Sequence, residues 1–225
     1  MARTGFNWIE DLSPIARDAL LARAHDRILP NATVLYCQGD TTTELFQIVS
    51  GEVRMFVLDE DGQEVLIYIY GPGDVVADSS AIDPNPYPVT IMTRGETRLK
   101  AWSIDDVAAL RAAFPEIDAS LARQMSQRLR GLLVLILELV TLSVPARVAS
   151  RIAFLVQLQG KSATGTPLSL SQTDLSLMVG ATRQSINSVL NDLKGRDLID
   201  THYGRIYVKD LPGLSRYAAA VKRKA

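Results

Sequence analysis

The 225-residue sequence has one cysteine, two histidines and an aromatic content of 6%. Each scarcity removes a class of chemistry. Cys37 alone makes no intramolecular disulfide and holds no iron–sulfur cluster. A solitary thiol of this kind reads as a small buried apolar residue. His25 and His202 lie far apart, which leaves a haem ligand unsupported and denies a metalloenzyme its His/carboxylate cluster. There is no Gly-rich phosphate loop and no credible Ser–His–Asp set. These gaps set aside an enzyme on a cupin-like barrel, and neither metal nor cofactor is expected. The run Leu132–Leu142 is strongly apolar, yet Glu138 interrupts it and it falls below the ~20 residues that cross a bilayer. With no charged-then-apolar leader, the expected location is the bacterial cytoplasm or an equivalent reducing compartment, with no membrane partner.

Net charge is also nearly absent, at −1, but its distribution is uneven. Residues 1–144 carry 12 Lys+Arg against 20 Asp+Glu, and residues 145–225 carry 12 against 5. A neutral chain divided this way suggests a basic module for phosphates and an acidic module for something else. The length allows each module its own core.

The most informative stretch is Leu170–Leu193. Ser171 is a plausible N-cap with Asp174 three residues on, and Leu175 and Val179 share one apolar face. Gly180 supplies a turn, and Thr182 caps a second helix. In that helix Ile186, Val189, Leu190 and Leu193 form a buried stripe at i, i+3, i+4 and i+7. The opposite side begins with Arg183, Gln184, Asn187 and Ser188, side chains that hydrogen-bond to base edges. Placed at the N-terminal end of a recognition helix, they read as the base-contacting set of a helix-turn-helix. The spacing favours binding to double-stranded DNA over a plain helix pair.

Along the rest of the chain, residues 8–26 read as short helices, with Ser13-Pro14 starting one. From Ile28 to Ser103 the pattern becomes short alternating runs. Val34–Tyr36, Leu45–Val49, Val53–Leu58, Val65–Tyr70 and Arg98–Trp102 are strand candidates, separated by turns such as Gly51-Glu52 and Gly73-Asp74. Many short strands so punctuated predict a small barrel or rolled sandwich. Residues 104–114 are helical, and a long helix runs from Pro115 to about Leu142. Met125, Leu129, Leu132, Ile136 and Leu139 step by 4, 3, 4 and 3, a coiled-coil seam that predicts a dimer interface. The helix is apolar almost all round, so it must be covered on several sides. Ser143 and Pro145 start a helix over 146–159, and Gly160–Pro167 is a loop. After the helix pair, Leu198–Thr201 and Arg205–Lys209 flank Tyr203-Gly204 as a hairpin wing, with His202 and Arg205 at its tip as phosphate contacts.

Barrel, long helix and winged helix-turn-helix, in this order, resemble the cyclic-AMP receptor and Fnr (Crp-Fnr) family of bacterial transcription regulators. The stretches that carry the likeness are Ile48–Val53, Gly71–Asp74, Gln124–Leu129 and Val179–Ile186, and it covers nearly the whole chain. The resemblance implies an α+β fold: an N-terminal β-roll over 1–114, a jelly roll of the cyclic-nucleotide-binding kind, then a dimerisation helix over 115–143 and a winged helix-turn-helix over 144–225. It implies a homodimer on DNA, with RNA polymerase among its partners. Carried over by position, Arg183 matches the guanine-reading Arg, a contact of roughly 1–3 kcal/mol. Gln184 stands where the cyclic-AMP receptor has Glu, so the half-site should differ there, and Ser188 replaces a second reading Arg. Thr182 and Ser185 fit phosphate contacts.

The effector pocket departs further from the family. Ala77-Asp78 takes the place of the Gly-Glu pair that holds ribose, and Pro88-Val89 that of the Arg-Ser pair that holds the cyclic phosphate. A buried phosphate needs a cation or several donors, and Pro88 lacks even an N–H. Leu132 and Leu133 replace the Thr-Ser pair that contacts adenine. Cyclic AMP is therefore not the expected ligand, unless Arg94 or Arg98 supplies the charge from another geometry. A pocket lined by Val76, Asp78, Val89, Leu132 and Leu133 favours an apolar or weakly polar effector. The alternative is a filled core, with constitutive DNA binding and no effector.

Overall fold

The computed structural model describes residues 6–83, 85–158, 167–168, 170–202 and 205–221. Most of the loop expected from Gly160 and the wing turn Tyr203-Gly204 lie outside the described residues. The chain forms two compact units that meet in sequence between Gly131 and Leu132.

In the first unit a short 3-10 turn, Trp8–Asp11, precedes helix α1, Pro14–Ala22. Ser13 caps α1 by accepting from the Ala16 amide, and Pro14 occupies a position whose amide has no helical partner. The strands are β1 (His25–Leu29), β2 (Val34–Tyr36), β3 (Glu44–Leu58), β4 (Glu64–Tyr70), β5 (Val75–Val76) and β6 (Thr90–Ser103). They pair antiparallel in the order β1-β6-β3-β4, with β2 also on β6 and β5 also on β3. The expected helical stretch thus ends early, and His25–Leu29 is a strand. Its backbone is held by the ladder to β6, and Arg27 and Lys100 tie it to Glu44 and Asp26 across neighbouring strands.

The two strands expected over Leu45–Val49 and Val53–Leu58 are one 15-residue strand. Gly51 does not turn the chain. It takes φ +86° where the register to β6 shifts, so a bulge absorbs the irregularity without ending the ladder. A Cβ there would lie 2.5 Å from the Glu96 carbonyl oxygen. Cys37, expected to be buried, is exposed. It sits after β2 in a tight turn, where its amide donates to Asp40.

Helix α2, Ile104–Ala113, follows β6 directly, and α3 spans Glu116–Thr141. Trp8, Leu20, Leu45, Trp102, Ile117 and Leu121 form the centre of a core between the helices and the sheet. The Trp102 indole donates to the Leu20 carbonyl at 2.7 Å, satisfying the one polar atom that this side chain buries. On α3 the docked stripe is Ile117, Leu121 and Gln124, stepping 4 and 3.

The second unit holds α4 (Val144–Leu158), α5 (Gln172–Val179), α6 (Arg183–Gly195) and α7 (Leu211–Ala220), with a small sheet. That sheet orders β7 (Pro167–Leu168), β9 (Arg205–Val208) and β8 (Ile199–His202). Ser150 on α4 is hydrogen-bonded to Glu138, the carboxylate that interrupts the apolar run of α3. Strand β7 and helix α7 had no counterpart in the sequence reading.

Candidate nucleic-acid interface and roll interior

Helix α5 opens with a complete capping box. The Ser171 hydroxyl accepts from the Asp174 amide at 3.0 Å, and the Asp174 carboxylate accepts from the Ser171 amide at 3.0 Å. It closes on Gly180 in the left-handed region, φ +64° and ψ 50°, a conformation glycine adopts without a Cβ penalty. The chain then re-enters a helix at once. Thr182 caps α6 by accepting from the Ser185 amide at 3.2 Å. This frees the first turn of α6 from capping by any neighbouring element.

The face of α6 bearing Ile186, Val189, Leu190 and Leu193 is buried. Thr182, Arg183, Gln184, Asn187 and Ser188 are exposed, and Ser185 is half-buried. Among the described residues Arg183, Gln184, Asn187 and Ser188 carry no side-chain ion pair or hydrogen bond. Their donors and acceptors stand together at the N-terminal half of one amphipathic helix. The far end of α6 is pinned differently. Tyr217 on α7 donates to Asp192 at 2.7 Å, and Arg196 pairs with Asp192 while lying over the Tyr217 ring. The Tyr217 hydrogen bond, with Arg196, holds the Asp192 carboxyl below its ordinary range. Burial and that same partner push the Tyr217 phenol up to about 12.

In the wing, His202 and Arg205 face each other at the last register position before the turn, and both are exposed. His202 does not stand alone. Its Nε2 is 3.1 Å from Asp200, whose carboxylate also lies 3.9 Å from Lys209 and 4.0 Å from Lys194. The Thr201 amide, donating to Asp200, is the main reason this carboxyl lies below its ordinary range. Asp200 thus gathers Lys194 of α6 and Lys209 beside β9 around one carboxylate.

The roll interior is where the structure adds a residue that sequence reasoning missed. Val76 and Asp78 are fully buried, Val89 is half-buried and Pro88 is exposed. Leu132 and Leu133 are 48% and 57% exposed. Asp78 follows Ala77, which is held at φ +66°, a left-handed conformation that costs an alanine about 1 kcal/mol or more. The Asp78 Oδ1 lies 2.9 Å from Nη1 of Arg128, which reaches in from α3. Nη2 of Arg128 donates to the Val75 carbonyl at 2.8 Å. The guanidinium lies 4.9 Å from the Phe6 ring centre and 5.6 Å from that of Tyr70. Burial pushes the Asp78 carboxyl up from its ordinary value, and Arg128 pulls it back. Burial likewise raises the Tyr70 phenol to about 12. Arg128 was legible in principle: it continues the docked stripe of Ile117, Leu121 and Gln124 at the next +4 step, a charge where the pattern calls for burial.

Arg128 is committed to a carboxylate and a carbonyl, Arg94 pairs with Glu52 at 3.7 Å, and Arg98 is exposed. A phosphate placed beside Asp78 would add a second buried anion to one already costly to bury.

The cyclic nucleotide-binding domain description matches residues 26–114, and the Crp-like helix-turn-helix domain description matches residues 146–217. A CRP-like cAMP-activated global transcriptional regulator of Mycobacterium tuberculosis is 29% identical over 221 residues, 97% of this chain and 98% of that protein. The cyclic AMP receptor protein of Thermus thermophilus is 26% identical over 92% of this chain and 94% of its own length. Among solved structures, the c-di-GMP responsive regulator CLP of Xanthomonas campestris superposes with a TM-score of 0.73 at 23% identity, covering 88% of this chain and all of that one. FixK2 of Bradyrhizobium japonicum superposes with a TM-score of 0.76 at 18% identity, covering 86% and 96%. Roll, long helix and capped helix-turn-helix thus coincide with two matched domains in the same order, and the chain belongs to the Crp-Fnr family of DNA-binding transcription regulators.

Proposed function

We propose that the protein is a homodimeric, sequence-specific regulator of transcription whose roll does not take cyclic AMP. The observation that carries the DNA reading is the first turn and a half of α6. Arg183, Gln184, Asn187 and Ser188 are exposed there on the side opposite a buried apolar stripe. Arg183 contacts guanine, Gln184 and Asn187 suit adenine, and Thr182, Ser185, His202 and Arg205 meet phosphates. Residues 1–114 form the roll, 115–143 the dimerisation helix and 144–225 the DNA-binding domain. RNA polymerase is the further partner that the family implies.

Dimerisation is supported by the second half of α3. Leu129, Leu132, Ile136 and Leu139 remain exposed in a single chain, which water disfavours at this density. Met125 begins the same seam, and the helix of a second copy covers it. Two α6 helices then address successive major grooves ~34 Å apart. No helix among the described residues is long and apolar enough to cross a membrane. The Mycobacterium tuberculosis relative is named a transcriptional regulator, and no cluster of three or more potential metal ligands occurs among the described residues.

The test is a gel-shift titration with a duplex selected by the wild-type protein from a random pool, repeated over a salt series. Affinity should fall steeply with salt, because each neutralised phosphate releases counterions. Arg183→Ala should relax preference at one base position. Uniform weakening on every sequence would make Arg183 a backbone contact instead. A second reading, binding without any effector, is favoured by the full burial of Val76 and Asp78.

A further inference from the structure

Helix α7 follows the wing and carries none of the side chains assigned to DNA, yet it is fastened at three points along its length. At its start, the Lys209 and Asp210 amides both donate to the Leu198 carbonyl, at 2.9 and 3.2 Å. Leu198 lies in the connection from α6 to β8. Asp210 caps α7 by accepting from the Gly213 amide at 2.8 Å, and a Cβ on Gly213 would lie 2.6 Å from the Leu198 side chain. In its last turn, the buried Tyr217 donates to Asp192 of α6 at 2.7 Å. At its end, the Val221 carbonyl accepts from Ser143 Oγ at 2.6 Å. Ser143 stands between the end of α3 and the start of α4, where its Oγ also accepts from the Ala146 amide at 3.4 Å. Between these ties α7 packs on α4.

We propose that α7 is a strut that fixes the rotation of α6 about its own axis, with Tyr217 the positioning residue that acts through Asp192 and Ser143 the footing at the α3–α4 junction. This deepens the DNA-binding reading, on which it rests, by naming what aims Arg183, Gln184, Asn187 and Ser188. Apolar burial is non-directional, so Ile186, Val189, Leu190 and Leu193 hold α6 down without strongly fixing its rotation. A hydrogen bond is directional, and a charged acceptor strengthens it. Asp192 lies nine residues beyond Arg183, about 14 Å along a stiff helix, so a turn at one end is a turn at the other. Arg196 completes the tie. It pairs with the other Asp192 oxygen at 2.9 Å, and its guanidinium lies 5.3 Å from the Tyr217 ring centre. Base edges are read through hydrogen bonds that tolerate little misalignment, whereas phosphates are met largely by charge. Loosening the strut therefore costs sequence preference before it costs affinity for DNA as such.

The experiment compares full-length wild type with Tyr217→Phe, Ser143→Asp and the double variant. Tyr217→Phe keeps the ring beneath Arg196 and removes only the donor. Ser143→Asp keeps a capping side chain for α4 but has no hydrogen for the Val221 carbonyl. Affinities are measured for the selected duplex and for a scrambled duplex of equal length, well below the melting temperature of each variant. Tyr217→Phe should bind the selected duplex about tenfold more weakly and the scrambled one within about twofold of wild type. Asp192→Asn retains an acceptor for the phenol and should keep most of the preference. Equal weakening on both duplexes, or none on either, would overturn the proposal, since Tyr217 would then contribute only to stability. Ser143→Asp should lose preference in the same direction. The double variant should lose less than the product of the two, because both cut one strut. A full product would make the two ties independent and overturn the proposal as well.

Should Tyr217→Phe fail to fold, Asp192→Ala removes the same bond from a side chain that is 43% exposed, with the same expectations. A readout free of DNA separates the strut from the reading beneath it. Amide hydrogen exchange over residues 187–193 should quicken about tenfold in Tyr217→Phe, while that of α5 stays as in wild type. If the wild type selects no duplex at all, the regulator reading falls, and exchange still decides the strut: unchanged protection of α6 would overturn it.

Discussion

Replacing Ile136 by alanine should loosen the dimer without touching the monomer. Ile136 is 56% exposed in the single chain, so little of its packing depends on its own fold. Full burial of such a side chain contributes about 1.5–3 kcal/mol, and the portion still open to a partner is worth about 1 kcal/mol. A two-fold dimer loses it twice, about 2 kcal/mol, which raises the dissociation constant about 30-fold. Leu129, 59% exposed, carries a similar value. Seven residues separate the two along α3, about 10 Å, so their effects should add to roughly 1,000-fold. Sedimentation across a dilution series measures this directly. Val134→Ala is the control: Val134 is exposed but lies off the Met125–Leu139 seam, and its loss should move the constant far less. An unchanged constant for Ile136→Ala, or an equal loss for Val134→Ala, would refute the assignment of the seam.

Thr182→Ala removes the N-cap of α6 and should cost about 1 kcal/mol of stability, seen as a lower melting temperature together with weaker DNA binding. Gly51→Ala should cost about 3 kcal/mol or more, because the added methyl meets the Glu96 carbonyl as well as a positive φ. Gly62→Ala, also at positive φ but with nothing within 4 Å, should cost only about 1 kcal/mol, and equal melting points for the two would contradict the steric argument. In alkali the roll should weaken as Tyr70 is forced to ionise. Its folded pKa of about 12 exceeds the ordinary 10.0, so its contribution is whole below pH 10 and lost as pH rises towards 12. Urea denaturation between pH 10 and 12 should lose about 1.4 kcal/mol less per pH unit in Tyr70→Phe than in wild type. An identical slope would place Tyr70 outside that titration.

Local sequence rules reached the reading head because everything that builds it lies within 25 residues. The capping residues Ser171 and Thr182, the Gly180 turn and the 3-4 spacing of the α6 stripe are all short-range features. Period and breaker residues also sufficed for the long α3 helix and its exposed apolar segment. The ladder was harder. Gly51-Glu52 reads as a turn in isolation, and only the opposing strand β6, some 45 residues later, makes it a bulge within one strand. Strand β1 likewise takes its conformation from β6 rather than from its own residues.

What the chain order determined by itself is the succession of roll, rod and capped helix pair, together with the side chains on the open face of α6. Periodicity and capping act between near neighbours, so they survive in a one-dimensional reading. Only the tertiary structure brought the buried charges of the roll together. Asp78 and Arg128 are 50 residues apart in sequence, and neither signals the other. Their meeting depends on β5 and α3 both closing on the same core, where a charge persists only if its counter-charge has been folded against it.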